Sequence, residues 1–139
     1  MDRPTDDSAL RVLCVDDDRD AADSLAVLLE LAGFKPHVCY DGASALVACE
    51  TFQPEACILD LTMPGMSGLE LSRRIRDWAG RREPPVLVAL TGWTGEEARR
   101  RTAEAGFDLY LTKPVDPDQL AALVTDMVIL RSGPVTPIT

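Results

Sequence analysis

The chain has 139 residues, of which 46% are hydrophobic and 27% charged, proportions that fit one ordinary globular domain and exclude a disordered chain. Lys and Arg number 14 against 23 Asp and Glu, a formal net charge of -9. So acidic a chain has no basic field for phosphate backbones, which argues against direct nucleic-acid binding. The longest apolar runs are strand-sized, and Met1-Asp2-Arg3-Pro4 carries no signal-peptide core, so neither a membrane span nor export is expected and the chain reads as cytoplasmic.

In chain order, strand and helix alternate five times. Leu10 to Val15 is an apolar run ending in acid and reads as the first strand. Asp18 to Ala32 places Ala22, Leu25, Leu28, Leu29 and Ala32 at helical spacing, with Gly33 able to take a left-handed cap. Phe34 to Tyr40 is a weaker strand, and Pro36 suggests an edge position because it cannot donate to a ladder. Ala43 to Phe52 is helical and Pro54 closes it. Ala56 to Leu61 is apolar throughout apart from Asp60, as expected of a strand buried on both faces.

A loop, Thr62 to Gly68, leads to a third helix with Leu71, Ile75 and Trp78 on one stripe. Val86 to Leu90 is the fourth strand. Thr94 and Glu97 have the spacing of a capping box for a fourth helix, which Gly106 ends. Phe107 to Thr112 is the fifth strand. Asp116-Pro117 opens a last helix that buries Leu120, Leu123, Val124, Met127 and Val128. Residues 1–9 read as an acidic lead, 10–131 as one domain and 132–139 as a tail rich in Pro and Thr.

Cys14, Cys39, Cys49 and Cys57 form no C-x-x-C pair, and three of them lie inside apolar runs, so buried reduced thiols are expected. His37, the single histidine, falls in a short strand as a surface residue.

Five strand–helix units with full-length crossovers imply a parallel sheet covered by helices on both faces. Such sheets bind ligands beyond the carboxyl ends of their strands. Asp16-Asp17-Asp18, Asp60, Thr91-Gly92 and Lys113-Pro114 all fall at those ends. Clustered carboxylates are stable together when a cation neutralises them, and hard oxygen ligands beside a phosphate suit Mg2+. A carboxylate can attack a phosphoryl group to give an acyl phosphate, with Lys113 and the Thr91 hydroxyl on the phosphoryl oxygens. The plainer readings are an N-terminal helix cap for Asp18 and a buried ion pair for Asp60 and Lys113.

Val12-Leu13-Cys14-Val15-Asp16-Asp17-Asp18, Ile58-Leu59-Asp60-Leu61-Thr62-Met63-Pro64-Gly65-Met66-Ser67-Gly68, Leu90-Thr91-Gly92 and Tyr110-Leu111-Thr112-Lys113-Pro114 together resemble the response-regulator receiver domain, the CheY-like family. The resemblance covers roughly residues 10 to 130. It implies a flavodoxin-like doubly wound (βα)5 fold, α/β, with strand order 2-1-3-4-5. By position it makes Asp60 the phosphoacceptor, and Asp16, Asp17, Asp60 and the Thr62 main-chain carbonyl the ligands of Mg2+, with Mn2+ as a substitute. Thr91 and Lys113 become the phosphoryl-binding pair, Thr91 and Tyr110 the switch, and Lys113-Pro114 a cis peptide. Thr62 and Trp93 flank the approach of hydrolytic water and so set the lifetime of the phosphoryl group, unless the Trp93 indole points away and packs on the fourth helix. Gly92 departs from the family, which more often has alanine there, and frees the loop backbone.

The resemblance further implies two-component signalling. The phosphoryl donor is then a partner histidine kinase or histidine phosphotransfer protein, and the chain catalyses its own phosphorylation and dephosphorylation without being a conventional enzyme. With no DNA-binding motif after the last helix, it reads as a stand-alone receiver or as the receiver of a longer regulator or hybrid kinase. Arg73, Arg74 and Arg76, with Arg99, Arg100 and Arg101, suggest solvated helix faces. They also suggest a phosphorylation-dependent surface for a downstream partner or dimer.

Other readings fit less well. Haloacid-dehalogenase phosphatases use D-x-D-x-[TV], whereas Asp16-x-Asp18-x-Asp20 ends in an acid. An EF-hand fails because Ala21 and Val27 stand where its glycine and bidentate glutamate belong. A receiver-like binding module without phosphorylation would not require the complete set of acids, Thr91 and Lys113.

Overall fold

A computed structural model describes residues 9–132, so the expected lead and tail lie outside it apart from Ala9 and Ser132. The elements are β1 (Arg11–Val15), α1 (Arg19–Leu31), β2 (Lys35–Cys39), α2 (Gly42–Phe52), β3 (Ala56–Leu59), α3 (Gly68–Ala79), β4 (Val86–Thr91), α4 (Glu96–Glu104), β5 (Leu109–Thr112) and α5 (Pro117–Ser132). The strands form one parallel sheet of order β2-β1-β3-β4-β5, the doubly wound topology that the resemblance implies. β2 and its Pro36 lie at an edge.

Alternation along the buried strands divides the core into two layers. Val12, Cys14, Ile58, Val86, Val88 and Leu90 face α1 and α5, meeting Leu29, Leu120, Val124 and Val128. The intervening Leu13, Val15, Cys57, Leu59 and Leu87 face α2 and α3, meeting Ala45, Cys49, Leu71 and Ile75. Each large aliphatic chain buried this way contributes roughly 1.5–3 kcal/mol of transfer free energy. That is why β1, β3 and β4 are apolar at consecutive positions. All four cysteines are free thiols buried in these layers.

The helix ends explain local sequence choices. The Asp18 carboxylate accepts from the Ala21 N–H to cap α1, Asp41 accepts from Ser44 to cap α2, and the Ser67 hydroxyl accepts from Glu70 to cap α3. The expected Thr94–Glu97 capping box is corrected. Gly95, at φ 100°, precedes the first residue of α4 and no side chain caps that end. Threonine resists such a positive φ, so the chain turns at Gly95 and the helix starts one residue later than a cap at Thr94 requires. Glu96 and Glu97 place negative charge in the first turn instead.

Several boundaries also shift by one or two residues, three of them for a visible reason. α2 begins at Gly42 because Asp41 is its cap. β3 ends at Leu59, since the Gly68 N–H bonds to the Leu61 carbonyl and draws the chain toward α3. β5 begins at Leu109 because the Phe107 N–H bonds to Thr102 at the end of α4. Gly68 permits the close approach of α3 to β3. A Cβ there would collide with the Asp60 carbonyl oxygen and lie 2.8 Å from the Leu61 Cα.

A candidate phosphoryl-accepting site at the sheet's carboxyl rim

Backbone hydrogen bonds that continue the ladders past the strand ends position the polar residues. The Asp16 N–H bonds to the Cys39 carbonyl at 3.2 Å, the Asp60 N–H to Val15 at 3.0 Å, and the Lys113 N–H to Thr91 at 2.8 Å. Because the strands are parallel, every carboxyl end falls on one rim. Asp16, Asp17 and Asp60 are thereby gathered so that one carboxylate oxygen of each lies within 4.8 Å of the others.

Asp16 and Asp60 are each only 9% exposed, whereas Asp17 faces solvent. The Lys113 Nζ donates to Asp16 Oδ2 at 3.1 Å and lies 3.6 Å from Asp60 Oδ1. The other Asp16 oxygen accepts from the Asp18 N–H at 3.0 Å. Burial, and then the neighbouring Asp16 charge, push the Asp60 carboxyl above its ordinary value, against the pull of Lys113 and of the Thr62 N–H that bonds to it. Burial alone would lower the Lys113 ammonium, but its bonds to Asp16 and Asp60 raise it instead. The Lys113–Pro114 peptide is cis.

One lysine against three carboxylates leaves an excess of negative charge. A set of oxygen donors this close, two of them buried, fits a hard divalent cation. Thr62 is exposed, and its main chain already touches the Asp60 carboxylate.

Thr91 lies on the same rim and is fully buried, but its hydroxyl is turned to the following loop, where it accepts from the Trp93 N–H at 3.0 Å. The carbonyl of Trp93 in turn accepts from the Tyr110 hydroxyl. One peptide residue therefore joins the two side chains. The Trp93 indole packs with Leu61, Leu69, Ala89 and Ala105, and the Arg101 guanidinium sits 5.6 Å from its ring. Arg99 lies 5.2 Å from the Tyr110 ring. The sequence reading did not identify these two arginine contacts. They join α4 to partners outside the helix, whereas spacing along α4 reports only its own faces.

A doubly wound sheet carrying acids, a hydroxyl and a lysine on its carboxyl rim defines a phosphoryl-handling α/β domain. The chain matches the family described as response regulator receiver domain over residues 12–125 and belongs to it. It is 37% identical to the sensor histidine kinase GacS of Pseudomonas protegens, over 91% of this chain and 14% of that protein. It is also 37% identical to the DNA-binding response regulator MtrA of Mycolicibacterium paratuberculosis, over 82% of this chain and 49% of that protein. Among solved structures it resembles the chemotaxis protein CheY4 of Vibrio cholerae, with a TM-score of 0.79 at 25% identity, covering 86% of this chain and 98% of that one. The chain thus spans a seventh to a half of those two curated relatives, and it is a receiver domain of two-component signalling. No described helix is long and apolar enough to cross a membrane.

Proposed function

We propose that Asp60 accepts a phosphoryl group from the phosphohistidine of a histidine kinase or histidine phosphotransfer protein. The observation that carries this reading is the position of Asp60, buried at the end of β3 within reach of Lys113 and beside Asp16 and Asp17. A carboxylate oxygen of Asp60 attacks phosphorus, the phosphorus–nitrogen bond of the donor breaks, and the imidazole leaves with the electron pair. Lys113 holds a phosphoryl oxygen, and Thr91 becomes the hydroxyl partner of another once it releases the Trp93 N–H. Asp16, Asp17, Asp60 and the Thr62 carbonyl would hold Mg2+, or Mn2+ in its place, which when bound offsets charge on the phosphoryl oxygens.

Within these 139 residues the one histidine is no candidate donor. His37, the single histidine, is exposed on the edge strand and stacks on Phe52 at a centroid distance of 5.2 Å. The side formed by α4, β5 and α5 carries Tyr110 and its arginine, and is the surface we assign to a downstream partner or a second copy of the chain.

Intact-protein mass measurement after incubation with acetyl phosphate and Mg2+ tests the acceptor. The native protein gains one phosphoryl group and Asp60→Asn gains none, because the amide keeps the shape but lacks the nucleophile. Equal labelling of the two proteins would place the acceptor elsewhere.

A further inference from the structure

Beside the acidic rim, a cleft of about 490 Å³ opens between α1 and the segment from Lys113 to Pro117. Its size is that of a small-molecule site. Its head is formed by Asp16, Asp60 and Lys113, and its body is lined by Leu25 and Leu28 on one side and Val115 on the other. The cleft exists because α1 presents Ala21, Ala22 and Ser24 toward it, side chains too short to fill the space above the sheet. Leu28 is left 42% exposed on that wall. An apolar groove ending on a phosphoryl-accepting carboxylate and a lysine has the polarity of an amphiphile with its phosphoryl group at one end.

We propose that this cleft receives the acyl chain of a medium-chain acyl phosphate, and that such compounds phosphorylate Asp60 faster than acetyl phosphate does. The proposal rests on the reading of Asp60 as the phosphoacceptor. An Asp60 carboxylate oxygen forms the new bond to phosphorus, the bond from phosphorus to the acyl oxygen breaks, and the fatty carboxylate leaves with the electron pair. No proton transfer or further reactant is needed. Asp60 lines the same cleft as Leu25, Leu28 and Val115, so an acyl chain lying between those walls carries the leaving group away along the cleft. Chain binding there raises the second-order rate by placing the phosphoryl group at Asp60. In an open cleft each added methylene gains about two-fold, roughly half of the full-burial free energy.

The test compares acetyl, butyryl and hexanoyl phosphate as donors in the presence of Mg2+, read by intact mass. The expected result is a rise of about 16-fold from acetyl to hexanoyl, four methylenes at two-fold each. Ser24→Phe, at an exposed wall position, should lower the hexanoyl-to-acetyl ratio toward one. A second readout needs neither metal nor transfer: hexylphosphonate should shift the methyl resonances of Leu25, Leu28 and Val115 more than methylphosphonate does. Labelling by all three donors at one rate would overturn the cleft while leaving Asp60 as acceptor. Absence of labelling by any donor would overturn the acceptor itself. Methyl shifts confined to surfaces away from α1 and Val115 would also sink the proposal.

Discussion

Asp60 is held between opposing influences: burial and Asp16 favour its neutral form, while Lys113 and the Thr62 N–H favour its charge. We propose that Thr62 and Trp93, two positions beyond Asp60 and Thr91, govern what happens after phosphorylation. Neither Thr62 nor Trp93 bears an acid or amide able to orient a water for attack on the acyl phosphate. The phosphorylated protein should therefore decay slowly, and Trp93→Ala should hasten decay several-fold, followed by mass after removal of the donor. A native decay rate in that variant would show that the indole, packed with Leu61 and Leu69, does not control access. The thiols make a separate forecast. Burial, with a smaller contribution from Cys39, pushes Cys14 up to about 12, and burial with Asp41 pushes Cys39 up to about 11. A group whose pKa rises on folding contributes stability that is complete below its unfolded value and lost as pH climbs to the folded one. Thermal melts should therefore fall between about pH 9 and pH 12, and Cys14→Ala should flatten that decline by on the order of 4 kcal/mol of pH-dependent free energy. An identical alkaline profile in the variant would exclude the thiol as the cause.

At the scale of elements, the junction of β3 with α3 is the least forgiving. Gly68 lies against the Asp60 carbonyl and the Leu61 backbone, so a methyl group must move the main chain that bears the proposed phosphoacceptor. Gly68→Ala should cost roughly 2–3 kcal/mol in urea unfolding, the upper range for overpacking, because backbone cannot yield as a flexible side chain does. It should also slow phosphorylation. A variant as stable as the native protein would show that the α3 start relaxes freely. β1, β3 and β4 were legible because burial on both faces leaves uninterrupted apolar runs, and parallel pairing then brings Asp16, Asp60, Thr91 and Lys113 to one rim. The start of α4 was not. Thr94 and Glu97 satisfy the local pattern, but the φ of Gly95 decides where the helix begins, and that angle is set by the loop's path over the rim. The Arg99 and Arg101 contacts were equally invisible, since the aromatic partners belong to other parts of the chain.

For the whole molecule, the gathered acids set a balance between stability and function. Asp16, Asp17 and Asp60 repel one another when no cation is bound, and a folded-state ligand relieves that strain by mass action. Mg2+ at about 100 times its Kd should add about 2.7 kcal/mol, a rise of several degrees in Tm. Asp17→Asn should lose most of that gain while melting higher than the native protein in chelator. No response of the native melt to Mg2+ would show that the cluster binds no cation under those conditions.

The main chain of Trp93 has a consequence of a different kind. Its N–H is engaged by Thr91, on the phosphoryl side, and its carbonyl by Tyr110, on the outer side. A protein that grips Tyr110 from outside therefore acts on the same short stretch of main chain as a phosphoryl group drawing in Thr91. Thermodynamic linkage makes that traffic reciprocal: whatever factor phosphorylation adds to the affinity of the outer surface, a bound partner returns to the phosphorylation equilibrium. The listener on the α4–β5 side would then help decide how long the message lasts.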